Sequence, residues 1–178
     1  MLDKFYITPK QWRRILRWGL YSLLLLCAMM VQTVVLGRNG ISGVKPDLVP
    51  LVIFCVCLQE GPESGGLYSL ISSLVWAMSG VDQGALQIFL LTVLPILASL
   101  ALRKIVVVNF VSVFVSCSIL LILTQSAGFL LRLINGTVVG DLYATRLLPI
   151  VGISLLIQPL IYWLVKSIEK IGDPYETA

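Results

Sequence analysis

Charged residues gather at a few places along the chain, and the stretches between them are almost wholly apolar. A basic arm (1–14) leads into an apolar run at 15–36, followed by the turn-rich connection GRNGISGVK at 37–45. The next run, 48–58, is short and is closed by the polar break Gln59-Glu60-Gly61-Pro62-Glu63. Further runs follow at 65–79, 85–102, 105–131 and 147–165, and the chain finishes in a polar tail at 166–178. A helix rises about 1.5 Å per residue, so about 20 apolar residues cross the hydrocarbon core of a bilayer. The pattern predicts an all-α integral membrane protein, a single membrane domain of six transmembrane helices with the second and third short or broken. Lipid offers the backbone no hydrogen-bond partners, so two short helices with a polar break between them must be enclosed by protein. Asp47 is placed to cap the second helix, with Pro46 setting the chain's approach to it. Pro95 is expected to kink the fourth.

One stretch stands out within this pattern. Gly61, Gly65, Ser69, Ser73 and Ala77 recur at every fourth position, which puts them on one face of a helix. No charge occurs from Ser64 to Val81. Lipid tails are as apolar as leucine, so helices in a bilayer associate by close backbone approach over small residues. This reading puts the third helix at the centre of the fold. It leaves two roles open for the small face: packing inside the bundle, or docking of another membrane protein.

Composition agrees with the pattern. Hydrophobic residues make up 58% of the chain and charged residues 12%, against about 25% charged in an ordinary soluble domain. The net charge of +4 sits at segment ends and reads as a topology signal, not a nucleic-acid footprint. With the N-terminus inside, Lys4, Lys10, Arg13, Arg14, Arg17, Arg103, Lys104, Lys166 and Lys170 fall on the cytoplasmic side. Only Arg38, Lys45, Arg132 and Arg146 fall outside. That distribution places both termini in the cytoplasm.

Candidate chemistry is sparse. The chain has no histidine, which removes the commonest general base and a common metal ligand. Cys27, Cys55, Cys57 and Cys117 lie in apolar runs without the spacing of a zinc or redox pair, and read as small buried hydrophobes. No ionisable residue falls in the middle of a span. Gln32, Gln87, Asn109, Gln125 and Gln158 are expected to join neighbouring helices by hydrogen bonds. Glu60 and Glu63 flank Gly61-Pro62 with no nucleophile beside them and read as a solvated loop. No phosphate loop, H-E-x-x-H or nucleophile elbow is present. The expectation is a protein without catalytic, cofactor or metal residues.

The order Pro46-Asp47-Leu48, a short apolar run, Gly61-Pro62, a Gly/Ser-rich helix, Ser79-Gly80 and then Gly84 resembles the middle region of the rod shape-determining protein MreD family. The resemblance covers about residues 46–102. Its matching positions are Pro46, Asp47, Gly61, Pro62, Ser79, Gly80 and Gly84, all of which set architecture. The chain departs from the family at Trp76, where the family has an aspartate, and at Tyr68 and Ser72, where it has glycines.

The resemblance implies a non-catalytic inner-membrane component of the bacterial cell-elongation machinery that builds peptidoglycan. Its implied partners are MreC and, through it, RodA, a class B penicillin-binding protein and MreB. It also implies a fold similar to the substrate-binding subunits of energy-coupling-factor vitamin transporters. These supply the second reading, a small-molecule-binding subunit whose pocket would draw on Tyr68, Trp76 and Gln87. Such subunits commonly present an Ala-x-x-x-Ala face on the first helix, where this chain has only Ala28. Its small face, Gly61, Gly65, Ser69, Ser73 and Ala77, lies on the third helix, which favours a scaffold that docks the transmembrane helix of a partner such as MreC.

Overall fold

A computed structural model describes residues 9–37, 46–79, 85–105, 109–134 and 142–172. The chain forms six α-helices: α1 (Pro9–Met30), continued by a π-helical turn at Val31–Val35, α2 (Leu48–Glu60), α3 (Pro62–Met78), α4 (Ala85–Ile105), α5 (Phe110–Ile134) and α6 (Leu142–Gly172). Among the described residues, four segments are long and apolar enough to cross a membrane: α1 with its π turn, α4, α5 and α6. The molecule is therefore a multi-pass membrane protein. By contrast α2, with 13 residues, rises about 20 Å, and α3, with 17, about 25 Å. Both fall short of the ~30 Å hydrocarbon core.

Several helix boundaries differ from those expected, and three of them have a local reason. Pro62 begins α3, because a first helical residue needs no N–H and proline's φ already suits a helix. Arg103 and Lys104 stay inside the last turn of α4, where cations complement the negative end of the helix dipole. The start of α5 is delayed to Phe110, where the Ser112 hydroxyl accepts from the Asn109 N–H and donates to the Asn109 carbonyl, both at 2.9 Å. α4 and α6 continue through Pro95 and through Pro149 and Pro159.

The centre of the bundle is α2, not α3. Every residue from Leu48 to Gln59 is buried, and α2 touches α1, α3, α4, α5 and α6. A helix that is apolar all round belongs where neighbours cover every side. α3 is one-sided: Gly65, Gly66, Tyr68, Ser69, Ser72, Ser73 and Trp76 are buried, while Leu67, Leu70, Ile71, Leu74, Val75 and Met78 are exposed. The core gains little from leaving lipid, which is equally apolar, so what stabilises it is the density of its contacts.

The small residues of α3 are used inside the bundle. Gly61, Gly65, Ser69 and Ser73 are buried and Ala77 is half-buried. A Cβ on Gly65 would lie 2.6 Å from Cys57 Cα and 2.8 Å from its carbonyl oxygen, so α2 and α3 meet backbone to backbone. On the α4 side, a Cβ on Gly66 would come within 3.0 Å of the Ile96 side chain. The Ser73 and Thr92 hydroxyls are 3.0 Å apart. Each hydroxyl also bonds its own helix, Ser73 to the Leu70 carbonyl and Thr92 to that of Ile88, both at 2.9 Å.

Gly65→Ala must separate two backbones and is expected to cost about 1–3 kcal/mol. Gly128→Ala places its methyl where nothing lies within 4 Å and is expected to leave stability unchanged or slightly raised. Unfolding of both variants in detergent, followed by circular dichroism, measures the contrast. Equal stabilities would contradict the α2–α3 contact.

Candidate functional site

Polar side chains from α1, α4 and α6 meet the two ends of α2. At its C-terminal end the chain reverses through one residue, Gly61, with φ 101° and ψ 177°, a region open essentially to glycine alone. Space makes the same demand, since a Cβ on Gly61 would lie 2.5 Å from Arg103 Nη2. That guanidinium, from the end of α4, donates to the Gln59 carbonyl at 3.0 Å. It thereby satisfies one of the carbonyls that a helix C-terminus leaves open. The Gly61 N–H serves the Cys57 carbonyl at 3.0 Å, and the Gly61 carbonyl accepts from the Gly65 N–H at 2.9 Å.

Glu60 lies within this end of the bundle and not in a solvated loop. Arg17 Nη2 approaches its Oε2 at 3.0 Å, with the two side chains only 14% and 6% exposed. The Tyr21 hydroxyl donates to Oε1 at 2.8 Å. The Tyr68 hydroxyl then donates to the Tyr21 carbonyl at 3.0 Å, tying α3 to α1. The Trp18, Tyr21 and Tyr68 rings pack together with centroids 5.7–6.2 Å apart. Both carboxylate oxygens of Glu60 are engaged, so its role here is to join helices. Glu63 is exposed, as the sequence suggested.

At the N-terminal end, Asp47 occupies the position before α2 but makes no side-chain cap. The cap comes from α1: Gln32, in the π-helical turn, accepts from the Val49 N–H at 2.9 Å and donates to Asp47 Oδ1 at 3.2 Å. The Asp47 N–H donates to the Ser154 hydroxyl of α6 at 3.2 Å. Gln158 joins α6 to α5 by donating to the Phe114 carbonyl at 3.0 Å. Gln32 and Gln158 thus link helices as expected.

An open groove of about 720 Å³ runs between α1 and α3. Arg14, Arg17 and Trp18 line one end, and Leu25, Leu26, Leu67, Ile71 and Val75 line most of its length. Tyr68 and Ser72 also face it, whereas Trp76 and Gln87, the other residues considered for a ligand pocket, do not. Trp76 is buried in the core of the bundle. The groove offers cations at one end and hydrocarbon contact along the rest, a lining suited to an amphiphile. Among the described residues no group of metal-ligating side chains comes together.

The positions that carry the family resemblance are joints of this architecture. Asp47 links the start of α2 to α1 and α6, and Gly61 and Pro62 form the reversal into α3. Ser79 closes α3, its N–H and hydroxyl both donating to the Trp76 carbonyl, at 3.1 and 2.6 Å. Gly80 and Gly84 lie outside the described residues. Cys55, Cys57 and Cys117 are buried, with 3.6 Å between the sulfurs of Cys55 and Cys117; Cys27, expected to be buried too, is exposed on α1. Sequence reasoning missed Arg17, Tyr21, Arg103 and Ser154 as partners of α2. Its only signal was Arg17, a charge just inside an apolar run. No protein-family model, curated protein or solved structure matches the chain.

Removing one member of a buried ion pair strands the other charge and costs about 3–5 kcal/mol. Arg17→Met alone is expected to destabilise by about that amount. Arg17→Met combined with Glu60→Gln should recover most of the loss, because glutamine carries no charge and still accepts from Tyr21. A denaturation series on the wild type, the single variants and the double variant gives the coupling; additive losses would contradict the pair.

Proposed function

We propose that the protein is a non-catalytic scaffold of the bacterial inner membrane, a component of the cell-elongation machinery of the MreD type. Both termini lie in the cytoplasm. The observation that carries this reading is the coincidence of the resemblance with the joints of the fold. Pro46-Asp47, Gly61-Pro62 and Ser79 are where α2 and α3 begin, reverse and stop, so the shared pattern is that of an architecture and not of a reaction. The topology agrees with the charges: Arg17 and Arg103 meet at the same end of α2, the end assigned to the cytoplasm by the positive-inside distribution.

The partner on this reading is MreC, and through it RodA, a class B penicillin-binding protein and MreB. The small residues Gly61, Gly65, Ser69, Ser73 and Ala77 serve recruitment indirectly. They seat α3 against α2 and α4, and that placement fixes the surface a partner meets. Docking on the small face itself would require α3 to part from both neighbours.

Purification of the tagged protein from its own membranes in mild detergent, with mass spectrometry of proteins and small molecules, tests the proposal. Recovery of MreC and wall-synthesis enzymes without a stoichiometric small molecule is the expected result. Two ATPase subunits together with a bound vitamin would overturn it in favour of a transporter subunit.

A further inference from the structure

We propose that the groove between α1 and α3 is a binding site for one anionic phospholipid from the leaflet on the side of the N-terminal arm. Three features of the groove converge on that occupant. Its volume, about 720 Å³, lies in the range of ~300–1,000 Å³ typical of sites for single small molecules. Its length matches one leaflet: along α1 it extends from Arg14 to Leu26, a rise of about 18 Å, against about 15 Å for half the hydrocarbon core. A partner's transmembrane helix would need a track across the whole ~30 Å.

The third feature is the order of chemistry along that length. Arg14 and Arg17 lie in the N-terminal half of α1, towards the start of its apolar span, and Leu25, Leu67, Ile71 and Val75 line the rest of the groove. Arg17 is neutralised by Glu60. Arg14 is exposed and forms no ion pair among the described residues, so its charge is open to a ligand at that end of the groove. A phosphate-bearing headgroup with no balancing cation complements that charge, while an acyl chain fills the apolar length. On α3 the lining combines the outward-facing Leu67, Ile71 and Val75 with the buried Tyr68 and Ser72.

Native mass spectrometry of the purified full-length protein, titrated with phosphatidylglycerol or with phosphatidylcholine of the same acyl chains, tests the proposal. One phosphatidylglycerol should be retained with about fivefold preference, the factor that one basic residue contributes at an anionic membrane surface. Arg14→Gln should abolish that preference while leaving the protein folded. Ile71→Trp, which fills an outward-facing part of the groove, should weaken retention of both lipids. Equal retention of the two lipids by the wild type would overturn the proposal, as would retention unaffected by Ile71→Trp. A photoreactive side chain at Leu67, activated in native membranes, should give an adduct with the mass of a phospholipid. Capture of a protein there with no lipid adduct would assign the groove to a partner helix instead.

Discussion

A helix too short to cross a bilayer leaves its unpaired backbone groups at hydrocarbon depth, where no water can serve them. That constraint organises the molecule. α2 has 13 residues, and the N–H groups at one end and carbonyls at the other need partners supplied by neighbouring helices. Gln32 from α1 supplies a cap at the N-terminal end, with Ser154 of α6 holding the preceding residue. At the C-terminal end Arg103 from α4 takes a carbonyl, and Arg17 and Tyr21 from α1 hold Glu60. Three of the four long helices, α1, α4 and α6, supply these groups.

The close approach of α3 follows from the same enclosure. Once α2 is surrounded, the returning helix must lie directly against it, and glycine and serine make that possible. Gly65 brings α3 onto the Cys57 backbone, and Gly61 turns the chain without a loop of exposed peptide groups. The outer side of α3 carries leucine, isoleucine and valine, and these side chains are exposed. The groove lies between α1 and α3, with Tyr68, which donates to the Tyr21 carbonyl, among its lining residues.

The helices, the shortness of the second and third, and the enclosure of the second were legible in the sequence, because apolar run length and the polar break at 59–63 are local signals; the third keeps one face exposed. So was the linking role of Gln32 and Gln158, since an amide in an apolar run has little else to bond. The identity of the central helix was not. The small residues of α3 form a conspicuous face, yet a face is the mark of a helix with two different sides. The uniform apolarity of 48–58 was the better sign of complete burial. Glu60 was misjudged because its partners, Arg17 and Tyr21, are remote in sequence, and a Gly-Pro break beside two acids looks like a surface turn. Asp47 was misjudged as a cap because the competing acceptor, Gln32, comes from another helix. In each case local chemistry proposed the group, and tertiary packing chose a different partner for it.

Lipid-phase photolabelling most directly tests the burial of α2. A small aryl diazirine dissolved in the bilayer around the reconstituted protein, activated and located by peptide mass spectrometry, reports which helices touch lipid. The structure predicts label on α1, α4, α5, α6 and the outer positions of α3, with residues 48–59 unlabelled. Label within 48–59 at the level found on α4 would contradict a core built on α2.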